Sequence, residues 1–276
     1  MNVTDELIEM NGLRFHYRDW APQRPGLPDL LLLHGYTGHA RSWDTFAARM
    51  TDRYRVLALD QRGHGESGWA PPDRYGTDDM VEDLRAFVAA LRLRSFALLG
   101  LSMGGVVSFR YAGAQPAELS RLVIVDIAPR LESGGLQRIQ TGAQSRDRFA
   151  SREEAFSAAR AGNPIAPENE LRHRVFNNLM RLADGQWTFR YDRALRDPAV
   201  PRQRLSEEVG WQSVAAIKVP TLIVRGGQSD LLSPEIAQRM QSSIAGSQLV
   251  DVPKAGHSVP LDNPEGFATA VRGFLT

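Results

Sequence analysis

Short apolar runs alternate with helix-period segments through the first half of the chain. Two β-rich stretches, residues 7–10 and 13–20, flank Asn11-Gly12, the dipeptide that most favours a two-residue hairpin turn. Residues 29–33, 54–60, 95–101 and 121–128 read as further strands. Their cores are apolar at successive positions, as in Leu30-Leu31-Leu32-Leu33 and Leu122-Val123-Ile124-Val125. Such strands are covered on both faces, which predicts a parallel sheet flanked by helices. Between them lie helical patterns. Residues 77–93 place Met80, Val81, Leu84, Phe87, Val88 and Leu91 on one face, with Thr77 as the expected N-cap, and residues 103–114 form a second helix.

The rhythm stops at Pro129. From there to about Gln212 no apolar strand core is legible; arginines are frequent and aromatics are scattered, so residues 130–212 read as a helical insertion. The sheet pattern returns at residues 219–224 and 248–252, with a helix at 234–244 between them. Asn263-Pro264, an N-cap residue followed by proline at the first helical position, opens a last helix. The expected organisation is therefore a core of residues 1–129 and 213–276 interrupted by the insertion.

Composition narrows the chemistry. Lysine plus arginine total 33 against 32 acidic residues, a net charge of +1, so no electrostatic ground exists for a nucleic-acid partner. Cysteine is absent, which removes disulfides, thiol nucleophiles and cysteine-ligated zinc together. The first ten residues carry Asp5, Glu6 and Glu9 and do not read as a signal peptide. No apolar run approaches the ~20 residues of a membrane span. The expectation is a cytoplasmic protein acting on a small molecule, with no membrane partner; oligomeric state is not legible.

The segment Gly100-Leu101-Ser102-Met103-Gly104-Gly105 sits between a strand and a helix. Its G-x-S-x-G pattern suits a nucleophile on a tight strand-to-helix turn, where glycines permit close backbone passage and the helix N-terminus favours developing negative charge. A serine hydroxyl needs a positioned base. Of the six histidines, His257 in Ala255-Gly256-His257-Ser258 directly follows the last strand. Loops at strand carboxyl ends share one rim of a parallel sheet, so Ser102 and His257 are expected together. The base needs an acid. Asp230, after the strand at 219–224, gives the order serine, acid, histidine and is preferred; Asp126, at the end of the strand after the elbow, is the rival. The backbone N–H groups of Met103 and Tyr36 are the expected oxyanion donors.

Taken together, His34-Gly35 with Trp43 downstream, Asp60-Gln61-Arg62-Gly63-His64-Gly65-Glu66-Ser67, the elbow at Ser102, Asp230 after its glycine pair and Gly256-His257 resemble the α/β-hydrolase superfamily. The chain is most similar to its capped esterase, lactonase and carbon–carbon hydrolase branch. The resemblance implies an α/β-hydrolase fold: an eight-stranded, mostly parallel sheet with helices on both faces and a helical cap formed by the insertion. It also implies Ser102, Asp230 and His257 as the triad, without a cofactor. Leu101 stands where relatives often carry histidine. The main expectation is acyl-enzyme hydrolysis of a small ester or lactone. One alternative is carbon–carbon or amide hydrolysis of a carboxylate-bearing substrate, with cap arginines as its partners; another is a small-molecule receptor that retains the triad.

Three other features bear on function. Gly63-His64-Gly65-Glu66-Ser67-Gly68 matches G-x-G-x-x-G, but Trp69-Ala70-Pro71-Pro72 forbids the helix a dinucleotide site needs directly afterwards. No metal site is expected, since His34 and His39 fit no standard ligand spacing and H-E-x-x-H is missing. The stretch Trp187-Thr188-Phe189-Arg190-Tyr191 suits either a substrate pocket or packing within the cap.

Overall fold

The computed structural model describes residues 2–143, 146–197, 199, 200, 203 and 205–275. Eight strands form the main sheet: β1 (Val3–Met10), β2 (Leu13–Trp20), β3 (Asp29–Leu33), β4 (Arg55–Leu59), β5 (Phe96–Leu101), β6 (Leu119–Val125), β9 (Thr221–Gly226) and β10 (Gln248–Val252), with β7 (Leu179–Arg181) and β8 (Trp187–Phe189) in a separate pair. Their spatial order is β1-β2-β4-β3-β5-β6-β9-β10. The first two strands are antiparallel, β2 meets β4 antiparallel, and every later pairing in this sheet is parallel. This is the expected eight-stranded, mostly parallel sheet. Asn11 and Gly12 both take positive φ, 49° and 75°, as the hairpin turn between β1 and β2 requires.

Strand alternation divides the core into two layers. Leu31, Leu33, Leu57, Leu59 and Leu98 face one side, where they pack with Leu84 and Phe87 of α2 (Thr77–Ala90), Val107 of α3 (Met103–Gly113) and Met240 of α8 (Pro234–Ser243). Leu30, Leu32, Val56, Ala58 and Leu99 face the other, against Phe46 of α1 (Asp44–Ala48) and Phe267 and Val271 of α10 (Pro264–Phe274). Asn263 accepts a hydrogen bond from Gly266 N–H at 2.9 Å, so the Asn-Pro start of the last helix forms as read. Thr77 is not an N-cap: it is the first helical residue of α2, and Gly76 occupies the cap position, its N–H donating to Asp79 Oδ2 at 3.1 Å.

The segment between β6 and β9 carries α4 (Ser133–Ala143), α5 (Arg152–Gly162), α6 (Glu168–Asn177), the antiparallel pair β7–β8, and α7 (Glu207–Ala216). The small hairpin adds strands to a segment expected to be helical. Its three-residue strands are too short to show a period, and only Gly185, at φ +85°, marks its turn. The insertion has its own apolar cluster of Phe149, Phe156, Leu171, Val175 and Leu179. Its last helix packs on the core, where a Cβ on Gly113 of α3 would come within 2.6 Å of the Ser213 carbonyl oxygen. The expected boundary at 212/213 thus falls inside α7.

Candidate active site

The turn from β5 into α3 carries the candidate nucleophile. Ser102 adopts φ 52° and ψ −115°, a strained conformation for a non-glycine residue, held by its N–H donating to the Val125 carbonyl at 3.0 Å. The neighbouring glycines make the turn possible. A Cβ on Gly100 would meet the Gly104 carbonyl oxygen at 2.2 Å, and one on Gly104 would meet the Leu33 carbonyl oxygen at 2.5 Å. The loop after β3 crosses directly above: a Cβ on Gly35 would approach Ser102 Cβ to 3.3 Å.

His257 lies between two partners. Its Nε2 is 3.0 Å from Ser102 Oγ and its Nδ1 is 2.8 Å from Asp126 Oδ2. A carboxylate only accepts, so Nδ1 carries the proton and Nε2 is left to accept from the serine hydroxyl. Asp126 is fully buried, takes φ 49°, and is held on every side. Its N–H donates to Val224 O at 2.8 Å, its Oδ1 accepts from Gly226 N–H at 2.8 Å, and its Oδ2 also accepts from Ser229 Oγ at 2.6 Å. These bonds satisfy a charge that burial alone would make costly.

The acid preferred from sequence is therefore corrected: Asp126, not Asp230, reaches His257. Asp230 lies in the loop after β9, one third exposed, where its carboxylate pairs with Arg138 of α4. The two acids end adjacent parallel strands, and the loop after β9 turns its Ser229 hydroxyl, rather than the Asp230 carboxylate, towards the histidine. Ser229 escaped the sequence reading because nothing in a lone loop serine announces that contact.

Tyr36 and Met103, the expected oxyanion donors, line the same cavity as Ser102. The cavity holds about 500 Å³ and is walled mainly by apolar side chains, among them Val106, Ile127, Leu136, Leu195 and Leu231. The Tyr36 hydroxyl donates to the Leu195 carbonyl, tying the loop after β3 to the insertion, and the Tyr75 hydroxyl donates to Asp192 Oδ2 at 2.5 Å.

The other histidines stand apart from the triad, and His173 pairs with Asp44 at 3.0 Å. His34 and His64 are fully enclosed, with ring centroids 5.0 Å apart, and His39 Nε2 reaches the Arg174 carbonyl at 3.0 Å. Burial pushes His34 and His39 down to about 4 and His64 to about 3. Asp60 is fully enclosed too, and burial opposes its charge. Its bond with His16 Nδ1 at 2.7 Å and backbone donors from Ala40 and Glu66 nevertheless hold it down to about 2. The glycine-rich loop thus wraps a carboxylate, and the next helical turn is a short 3-10 segment at Pro72–Arg74. Trp187 and Phe189 do not line the cavity; Phe189 packs between Phe149 and Tyr191 inside the insertion. No cluster of three potential metal ligands and no helix long and apolar enough to cross a membrane occurs among the described residues.

A model of the alpha/beta hydrolase fold family matches residues 28–264. The chain belongs to that family. It is a hydrolase. Among curated proteins it is 29% identical to the 3-hydroxybutyrate-oligomer hydrolase of Cupriavidus necator, over 98% of this chain and 96% of that protein. It is also 29% identical to the N-formylmaleamate deformylase of Pseudomonas putida, over 97% and 95%. Among solved structures, an alpha/beta hydrolase from Novosphingobium aromaticivorans superposes with a TM-score of 0.85 at 28% identity, covering 99% of this chain and 98% of that one. The two curated relatives carry different names, one an oligomer hydrolase and the other a deformylase.

One polar group stands apart. Arg174 of α6 lies beside a second, smaller cavity with Gly35, Leu101, Glu170, Pro260 and Leu261. Its Nη1 makes a single long contact, 3.5 Å, with Ser258 Oγ, the residue after His257, and it forms no ion pair among the described residues. Burial weakens its charged form below the ordinary arginine range, and the charges of Asp262 and Tyr191 work against that.

Proposed function

We propose that this hydrolase cleaves a carboxylate-bearing substrate, by amide or carbon–carbon bond hydrolysis rather than as a general esterase or lactonase. Ser102 attacks the carbonyl, His257 takes the serine proton and returns it to the leaving group, and Asp126 orients His257 and stabilises its charged form. The Tyr36 and Met103 backbone N–H groups receive the oxyanion. Residues 130–212 act as the cap, and water releases the acyl group.

Arg174 carries this reading. An arginine that forms no ion pair among the described residues and whose Nη1 reaches Ser258, the residue after the catalytic histidine, offers a site for a substrate carboxylate, and charge-assisted pairing of this kind is worth roughly 1.5–3 kcal/mol. The relative named N-formylmaleamate deformylase lends support from the amide side.

The test is a paired panel of monoacid amides and vinylogous ketones beside their neutral carboxamide counterparts. The acid forms are expected to turn over at least about tenfold faster, and Arg174→Gln is expected to erase that preference. Ser102→Ala should lower kcat on the order of 10⁶-fold. Equal rates on acid and neutral members in the wild type would overturn the carboxylate reading, and full activity in Ser102→Ala would overturn the mechanism.

A further inference from the structure

His257 sits on a loop, yet its ring must meet Ser102 on one side and Asp126 on the other. A misplacement of about 1 Å at such a site can cost roughly a hundredfold in rate. Asp126 fixes the ring. The backbone that carries the ring is fixed elsewhere, by Asp262 at the end of α9 (Val259–Asp262).

Asp262 is only 7% exposed and holds the residues on both sides of His257. Its Oδ2 accepts from Gly256 N–H at 2.9 Å, and its N–H donates to the Ser258 carbonyl at 2.9 Å. The Gly256 carbonyl in turn packs on the end of β9, where a Cβ on Gly226 would come within 2.1 Å of it.

The other carboxylate oxygen belongs to the insertion. Asp262 Oδ1 accepts from Asn163 Nδ2 at 2.7 Å. Asn163 caps the C-terminus of α5 and is itself locked. Its Oδ1 accepts from the N–H groups of Ile165 and Ala166, both at 3.2 Å, and Arg160 Nη1 donates to its carbonyl at 3.1 Å. Its amide cannot flip without losing two backbone bonds. Two donors, one from each part of the chain, thus converge on one side chain. A carboxylate offers an acceptor to each, whereas an amide serves only one. Burial raises the pKa of Asp262, and those two bonds, with the charges of Arg174 and His257, oppose the rise.

We propose that Asp262 is a positioning residue for His257, and that Asn163 makes this positioning depend on how the insertion is seated. With Asn163 in contact, the carboxylate is pinned against Gly256 and the imidazole stays in line with Ser102. Without that contact the carboxylate keeps one bond of two and the loop gains freedom. Turnover then falls, while binding of a small substrate does not. The proposal takes His257 as the base and holds whichever bond the enzyme cleaves.

p-Nitrophenyl acetate suits the test, being small and uncharged. Asn163→Ala leaves Asp262 and its bond to Gly256 in place. It should lower kcat at least about fivefold with KM within about twofold of wild type, rates being taken per folded molecule by near-UV circular dichroism. Asp262→Asn sets one NH2 group against that of Asn163 and should lower kcat at least about tenfold. Combining Asn163→Asp with Asp262→Asn returns one donor to face one acceptor, and kcat should recover to within about threefold of wild type.

Unchanged kcat in either single variant, with only stability lost, would make the contact structural and overturn the proposal. A raised KM at wild-type kcat would overturn it too, because the contact would then shape binding and not the histidine. A loss in Asp262→Asn that the combined variant leaves unrepaired would overturn the dependence on the insertion. Ser102→Ala, run beside them, tests the triad separately: full activity there would remove the base on which the proposal rests.

Discussion

The ends of β6 and β9 present the same residue type on the same rim and give it opposite fates. Asp126, at the end of β6, is fully buried and engaged by His257, Ser229 and the Gly226 N–H. Asp230, after β9, is partly exposed and pairs with Arg138 of the insertion. A parallel sheet brings both carboxylates to the rim. What separates them is local: the backbone at Asp126 turns through positive φ and aims the carboxylate inward, and preorganised donors wait there. A carboxylate surrounded by fixed donors can hold an imidazole in one tautomer, whereas an exposed ion pair in solvent exerts little directional force.

The comparison can be broken by substitution, and the largest effect is expected at the buried end. Asp126→Asn keeps the shape of the side chain but presents an amide to the imidazole, and kcat should fall about 10⁴-fold with the fold retained by circular dichroism. Retention of more than a tenth of wild-type kcat would show that Asp126 does not orient His257.

Acidity extends the comparison to the ends of β3 and β4, where His34 and His64 are enclosed with His39 nearby. Each is depressed to about 4 or about 3 in the folded chain and takes up a proton near pH ~6.5 once unfolded. Their contribution to stability is complete above pH ~6.5 and is lost as pH falls towards the depressed values, by up to about 1.4 kcal/mol per pH unit for each histidine. His16 has the opposite sign. Burial works against its charge, but Asp60 and Asp5 hold its pKa up, so its contribution is present below pH ~6.5 and fades above. Urea unfolding at pH 7, 6 and 5 should show a steep loss of stability towards acid; constant stability would mean that these rings are not buried neutral.

Smaller effects follow at the edges of the two loops. Ser229→Ala removes one of the donors on Asp126 and should lower kcat about tenfold, a hydrogen bond to a charged group being worth roughly 1.5–3 kcal/mol. An unchanged kcat would make that donor dispensable. Arg138→Ala should cost less than ~1 kcal/mol of stability and leave p-nitrophenyl acetate hydrolysis intact, because the pair it breaks is exposed. A loss of activity comparable to that of Asp126→Asn would reverse the roles of the two loops.

The sheet was legible because β3, β5, β6 and β9 are apolar on both faces and end in glycine-rich or polar breaks. The same pattern placed Ser102 and His257 on one rim. It did not decide between Asp126 and Asp230, because periodicity reports where strands end and not how the loops beyond them bend. The insertion was legible only as an interruption. Its side chains are organised by arginine–aromatic stacking, such as Arg152 over Phe176 at 4.1 Å and Arg172 over Phe156 at 4.2 Å, contacts that obey no sequence period. Arg174 was invisible among the many cap arginines, since what distinguishes it is the lack of the acidic partner that Arg172 finds in Glu153.

The central claim is the hydrogen bond between His257 Nδ1–H and Asp126, and proton NMR reads it directly as a far-downfield imidazole N–H resonance. This resonance should be present in the wild type, persist in Asp230→Asn and disappear in Asp126→Asn. Its survival in Asp126→Asn with loss in Asp230→Asn would contradict the account and return the acid to the end of β9.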